Sequence, residues 1–135
     1  VEGAMQFLRA APRSNGKVGI TGFCVGGAIS LAAACNVDGL GAVVPFYGIP
    51  LAKYADYSRV RAPIQGHYGE KDGSIPLEKP RAVEAAVRAA GGKFELCVYD
   101  AGHAFMRESD PAVYQPDAAR LAWSRAISFL HEHLG

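Results

Sequence analysis

The stretch GFCVGG, residues 22–27, joins a β-rich apolar run at 17–23 to a run of small, helix-compatible residues at 26–34. This pattern is typical of a strand that turns sharply into a helix, with a reactive side chain at the apex of the turn. Glycine is expected at positions 22 and 26 because a Cβ there would collide with the neighbouring helix or strand. The motif therefore predicts that Cys24 is lifted out of the sheet. It also predicts that the Val25 amide, at the start of the helix, can stabilise a negatively charged oxygen.

Patterns typical of strands and helices alternate along the rest of the chain. Apolar runs predict further strands at 41–47, 63–68 and 94–99, and helical patterns occur at 1–11, 80–90 and 117–134. The last helix is predicted to carry a broad apolar face made of Ala118, Leu121, Ala122, Ile127, Phe129 and Leu130. Such alternation favours an α/β fold: one domain over residues 1–135, with a mostly parallel sheet of about four strands flanked by helices.

The composition argues against several classes of partner and site. With 14 basic and 13 acidic residues, the net charge of +1 gives no electrostatic basis for binding nucleic acid or an anionic membrane. The chain has neither an apolar run long enough to span a bilayer nor a signal-peptide pattern at residues 1–5, so a cytoplasmic protein is expected. Its three cysteines include no C-x-x-C pair, which argues against a disulfide scaffold and a zinc ribbon. No metal or organic cofactor is expected.

Two further reactive side chains follow predicted strands. Asp72 comes after the third strand and His103 after the fourth. Because the carboxyl ends of parallel strands meet at one edge of a sheet, we expect both side chains to lie near Cys24. His103 could then take the thiol proton, and Asp72 could hold the second ring nitrogen of His103.

Simpler roles are open for each of these residues. Cys24 could be a small core residue, since free cysteines are often buried. Asp72 could be a turn residue with Glu70 in its place, and His67, inside the third strand, is a rival for His103. The remaining thiols and imidazoles are expected in the core or in solvent: Cys35, Cys97, His131 and His133.

Three segments together carry a resemblance to a known family: GFCVGG at 22–27, GEKDGSIP at 69–76 and DAGHAF at 100–105. In this order they resemble the dienelactone hydrolase (carboxymethylenebutenolidase) family of the α/β-hydrolase fold, which hydrolyses esters or lactones through a thioester intermediate. The resemblance implies a Cys24 nucleophile, a His103 base, an orienting Asp72 and an oxyanion contact from Val25. It also implies an anionic substrate held by Arg107, with Tyr47 beside the pocket, although Arg107 could equally pair with Glu108 or Asp110.

The resemblance covers only the C-terminal half of the family's fold. The other half would supply a second oxyanion donor, a glutamate near the thiol and a second substrate-binding arginine. Without it, the strand at 17–23 becomes an edge strand, and we expect self-association or pairing with a companion fragment through that edge. Two alternatives to a dienelactone hydrolase follow: a non-catalytic half-domain that acts through association, and a general carboxylesterase or thioesterase.

Overall fold

The computed structural model describes residues 1–135, and its centre is a parallel sheet of four strands. The strands are β1 (Gly19–Phe23), β2 (Ala42–Phe46), β3 (Ile64–Gly69) and β4 (Phe94–Tyr99), and they lie side by side in chain order. Every residue of β2 and β3 is buried, as expected for central strands of a parallel sheet. The predicted sheet is confirmed.

Helices cover both faces of this sheet. They are α1 (Glu2–Ala10), α2 (Val25–Asn36), α3 (Glu78–Ala89) and α4 (Pro116–Leu134), with two short 3-10 turns at Ala52–Tyr54 and Tyr57–Arg59 that the sequence patterns did not predict. Helices α1 to α3 pack on one face, around a core that includes Met5, Leu31, Val43, Val83 and Val87, and α4 covers the other. None of the four combines the length and apolar character needed to cross a bilayer.

The buried face of α4 differs from the prediction. It is formed by Ala119, Ala122, Ala126 and Phe129, whereas Leu121 and Ile127 are 47% and 36% exposed. Ala122 and Phe129 were therefore assigned correctly, Ala118 and Leu130 are half-buried against the same core, and Leu121 and Ile127 were assigned wrongly. The physical reason is that the buried residues follow the helical spacing of positions 119, 122, 126 and 129, and an apolar side chain outside that stripe stays exposed whatever its hydrophobicity.

Strand β1 is an edge strand, as predicted. The backbone amides and carbonyls of the even-numbered residues in and beside β1 point toward β2. The Cys24 amide donates to the Phe46 carbonyl, and the Val18 carbonyl accepts from the Gly41 amide. The backbone groups of Gly19, Thr21 and Phe23 therefore point away from the sheet. They form an open row to which another strand could pair.

Candidate active site

Cys24 occupies the apex of a strained turn between β1 and α2. Its backbone has φ 55° and ψ −114°, a conformation that non-glycine residues rarely adopt. Two backbone hydrogen bonds hold the residue there: its amide donates to the Phe46 carbonyl at 3.0 Å, and its carbonyl accepts from the Ala28 amide at 3.1 Å. The side chain is exposed at the carboxyl end of the sheet. The alternative that Cys24 is a core residue is therefore excluded.

Three glycines make this turn sterically possible. A Cβ on Gly22 would lie 2.1 Å from the Gly26 carbonyl oxygen, and one on Gly27 would lie 2.4 Å from the Phe46 carbonyl oxygen. A Cβ on Gly48 would lie 2.1 Å from the carbonyl oxygen of Cys24 itself. The expectation for Gly22 is confirmed, but that for Gly26 is wrong, because a Cβ there meets no atom within 4 Å. Within the GFCVGG stretch, the glycines that the packing requires are therefore Gly22 and Gly27.

The structure brings Cys24, His103 and Asp72 into one hydrogen-bonded row. The Cys24 Sγ lies 3.2 Å from His103 Nε2, and His103 Nδ1 lies 2.7 Å from Asp72 Oδ2. Asp72 lies in the loop after β3, and His103 in the loop after β4, so their convergence follows from the parallel sheet. The row gives the thiol a proton acceptor and the acceptor a fixed orientation.

Asp72 is held for this role by its own turn. It is buried, and its Oδ1 accepts hydrogen bonds from the amides of Ser74 at 2.8 Å and Ile75 at 2.9 Å. Its other oxygen faces His103. Asp72 is thus both a turn residue and the partner of the imidazole, whereas Glu70 is exposed and lies outside the row.

His67 has a different environment. Its ring is fully buried, stacked on Phe46 at 4.5 Å, and hydrogen-bonded to the Tyr99 hydroxyl and to Gln65 at 2.8 and 3.1 Å. Burial, with a smaller contribution from the charge of Arg125, lowers the pKa of His67 to about 3. His67 is therefore a neutral core residue and no rival of His103.

The other two cysteines are chemically distinct from Cys24. Cys35 and Cys97 are buried, and burial raises the pKa of each thiol to about 11. At neutral pH both are protonated and shielded, so they are poor nucleophiles. No group of three or more His, Cys, Asp or Glu side chains is arranged to hold a metal ion.

A cleft of about 600 Å³ opens above the Cys24 thiol and the His103 imidazole. Its walls include Phe23, Met106 and Trp123, which the residue-by-residue reasoning did not place at a site. Trp123 carried the only available signal: a large aromatic side chain, here 50% exposed, on the polar side of α4. The walls indicate a ligand with substantial apolar surface.

The predicted Arg107 and Tyr47 also line this cleft. The Arg107 side chain is 64% exposed, and its Nη1 lies 3.7 Å from Asp110 Oδ2, a loose contact that leaves the guanidinium available to a ligand. Val25 is the first residue of α2, directly after Cys24, where amides precede the hydrogen-bond ladder of a helix. Cys24, Tyr47, His103 and Arg107 therefore line one cleft. Asp72 lies behind His103, and Val25 follows Cys24 in the chain.

Comparisons with known proteins agree with this architecture. A Yersinia pestis protein provisionally named carboxymethylenebutenolidase is 37% identical over 127 residues, covering 87% of this chain and 47% of that protein. A Bradyrhizobium protein provisionally named 2-oxo-3-(5-oxofuran-2-ylidene)propanoate lactonase is 33% identical, covering 99% of this chain and 58% of that protein. The chain thus spans about half the length of the curated relatives it matches.

A solved structure shows the same arrangement of elements. The crystal structure of a dienelactone hydrolase-like promiscuous phosphotriesterase from metagenomic libraries superposes with a TM-score of 0.83 at 26% identity, covering 99% of this chain and 60% of that chain. The predicted fold class, a mostly parallel sheet of about four strands flanked by helices as in an α/β-hydrolase, is confirmed by this likeness. The model of the family described as the dienelactone hydrolase family matches residues 1–134. From the match over almost its whole length, and from relatives that share a third or more of its residues, the chain belongs to the dienelactone hydrolase family.

Proposed function

We propose that this chain carries the catalytic half of a hydrolase that cleaves carboxylic esters or lactones through a thioester on Cys24. One observation carries the proposal, the hydrogen-bonded row of three side chains. Cys24 Sγ lies 3.2 Å from His103 Nε2, and His103 Nδ1 lies 2.7 Å from Asp72 Oδ2. The names of the relatives, a carboxymethylenebutenolidase and a lactonase, support the same bond type.

The first half of the reaction would acylate the thiol. His103 takes the proton of Cys24, and the thiolate attacks the carbonyl carbon of the substrate. The carbonyl oxygen becomes an anion that the Val25 amide can stabilise. When the tetrahedral intermediate collapses, the carbon–oxygen ester bond breaks and the leaving alkoxide takes the proton from His103. The product of this step is a thioester on Cys24.

The second half would release the acid. His103 takes a proton from water as the water oxygen attacks the thioester carbon, and the same oxyanion forms. Collapse expels the thiolate of Cys24, which recovers its proton through His103. In both halves Asp72 keeps the imidazole in one tautomer, because its carboxylate accepts the Nδ1 proton of the ring.

The cleft indicates the substrate class. Phe23, Met106 and Trp123 offer apolar contact, and Arg107 supplies a positive charge at the same opening. A lactone or ester that carries a carboxylate would use both features, since a guanidinium binds a carboxylate with geometric specificity. A general carboxylesterase or thioesterase would use the apolar walls alone. We also propose a cytoplasmic location, supported by the free thiol that the reaction would need.

The test is acylation of the folded protein by 4-nitrophenyl acetate, followed by intact mass and peptide mapping. We expect a transient acetyl group on Cys24 and none on Cys35 or Cys97, because the last two thiols are buried and protonated. His103→Ala should abolish labelling, and Asp72→Asn should slow it. A folded sample without label, or with equal label on all three thiols, would favour the non-catalytic half-domain.

A further inference from the structure

Tyr47 has a backbone conformation that is rare for a residue other than glycine. It directly follows β2, adopts φ 35°, and is 3% exposed. Three non-glycine residues in the chain have positive φ, namely Cys24, Tyr47 and Ala104, and all three line the cleft. Glycine would adopt this conformation at little cost. A tyrosine held there against its preference indicates that its side chain has a use at the site.

The Tyr47 ring lies against the histidine loop. Its centroid is 5.3 Å from that of His103, with the ring planes inclined by 64°, and 5.3 Å from that of Phe105, inclined by 68°. Both are edge-to-face contacts, which are favourable for aromatic rings. The Tyr47 amide donates to the His67 carbonyl at 2.9 Å, so the ring projects from a backbone tied to β3.

The Tyr47 hydroxyl is not a proton carrier at neutral pH. Burial raises the pKa of Tyr47 to about 12, with a further rise from Cys24 and a partial offset from a hydrogen bond of the Met106 backbone. The group therefore stays neutral. The contact that the structure gives Tyr47 with the catalytic row is that of its ring with His103.

His103 needs such a support. Its side chain is 29% exposed, it is followed by the strained Ala104, and Asp72 fixes only its Nδ1. A single hydrogen bond leaves the imidazole free to tilt, and a tilt would carry Nε2 away from Cys24 Sγ. The Tyr47 ring blocks that movement from the side of β2.

We propose that Tyr47 is a positioning residue whose ring holds the His103 imidazole in the orientation that brings Nε2 to Cys24 Sγ. This inference rests on the proposed function and assigns Tyr47 a role beyond lining the substrate pocket. It also explains why the rare backbone conformation after β2 is occupied by a buried aromatic residue.

The experiment compares Tyr47→Phe, which keeps the ring, with Tyr47→Leu and Tyr47→Met, which remove it. Tyr57→Leu is the matched control, because Tyr57 packs on the opposite face of the sheet. Two readouts are used: kcat and KM for 4-nitrophenyl acetate, and the pH profile of Cys24 alkylation by iodoacetamide. Near-UV circular dichroism and thermal unfolding show which variants are folded.

Removal of the ring should lower kcat about fivefold with KM within twofold, the size of one edge-to-face contact. The midpoint of the alkylation profile should move up by about half a pH unit, because a misplaced imidazole supports the thiolate less well. Tyr47→Phe, which keeps the ring, should lose clearly less than Tyr47→Leu and Tyr47→Met in both assays, and Tyr57→Leu should behave as wild type.

Three results would overturn the inference. Tyr47→Phe could lose as much as Tyr47→Leu, which would make the hydroxyl the working group. The ring-removing variants could change KM alone, which would make Tyr47 a substrate wall. They could also leave the alkylation profile unmoved. The two proposals can fail separately, because alkylation of Cys24 needs no turnover. A wild-type chain that hydrolyses nothing would refute the proposed function, and the pH profile of alkylation would still decide the role of Tyr47.

Discussion

The buried imidazole of His67 should make the stability of this fold depend on pH. His67 is fully buried between Phe46 and Tyr99, and burial lowers its pKa to about 3, from 6.5 in the unfolded chain. Below about pH 6.5 the unfolded chain takes up a proton at His67 and the folded chain does not. The contribution of neutral His67 to the free energy of unfolding is therefore fully present above that pH, and it is lost as the pH falls toward 3.

The magnitude follows from proton linkage. One proton bound only by the unfolded chain costs about 1.4 kcal/mol of stability per pH unit. Between about pH 7 and pH 5, the His67 contribution should fall by about 2 kcal/mol, since the unfolded imidazole becomes protonated over this range. Both pH values lie well above the folded pKa of about 3, so the result depends mainly on the unfolded chain.

The assay is urea unfolding of the wild type and of His67→Gln, followed by circular dichroism at several pH values between about 7 and 5. Glutamine does not titrate, and the subtraction removes every ionisable group that the two proteins share. We expect the difference in free energy of unfolding to change by about 2 kcal/mol over this range. A difference that stays constant to within about 0.5 kcal/mol would refute the reasoning, because it would mean that folded His67 binds a proton as readily as the unfolded chain does.

Three further outcomes are expected. Gly48→Ala should destabilise the fold by about 2 kcal/mol or more in thermal unfolding, because its Cβ would lie 2.1 Å from the Cys24 carbonyl oxygen. Gly26→Ala, with open space around its Cβ, is the control, and equal losses would contradict the steric argument. Arg107→Gln should raise KM about tenfold for a carboxylate-bearing lactone and leave a neutral ester unchanged; a parallel rise for both would exclude carboxylate binding. Through the open edge of β1 we expect a second copy of the chain to pair, so light scattering at micromolar concentration should show a dimer that Thr21→Lys weakens. A wild-type monomer would count against this pairing.

Much of the fold could be predicted because its signals are local. Alternating strand and helix patterns identified the parallel sheet, and the GFCVGG stretch identified the turn at Cys24. Both signals depend on residues that are close together in the sequence. Burial on α4 was less predictable. Leu121 and Ile127 are apolar yet exposed, because they lie outside the stripe of Ala119, Ala122, Ala126 and Phe129 that is buried against the sheet.

The sequence by itself determined the order of elements, the strained turn and the residue types able to form a nucleophilic row. Only the tertiary structure decided which residues meet: Cys24 and His103 are 79 positions apart, and their 3.2 Å contact depends on the register of four strands. The choice of Asp72 over Glu70 is of the same kind, because burial and contact with His103 are properties of the assembled sheet edge. The backbone conformation of Tyr47 was also decided by the tertiary structure. Its positive φ is held by packing against the histidine loop and by a hydrogen bond from its amide to the His67 carbonyl of β3, which no local pattern encodes.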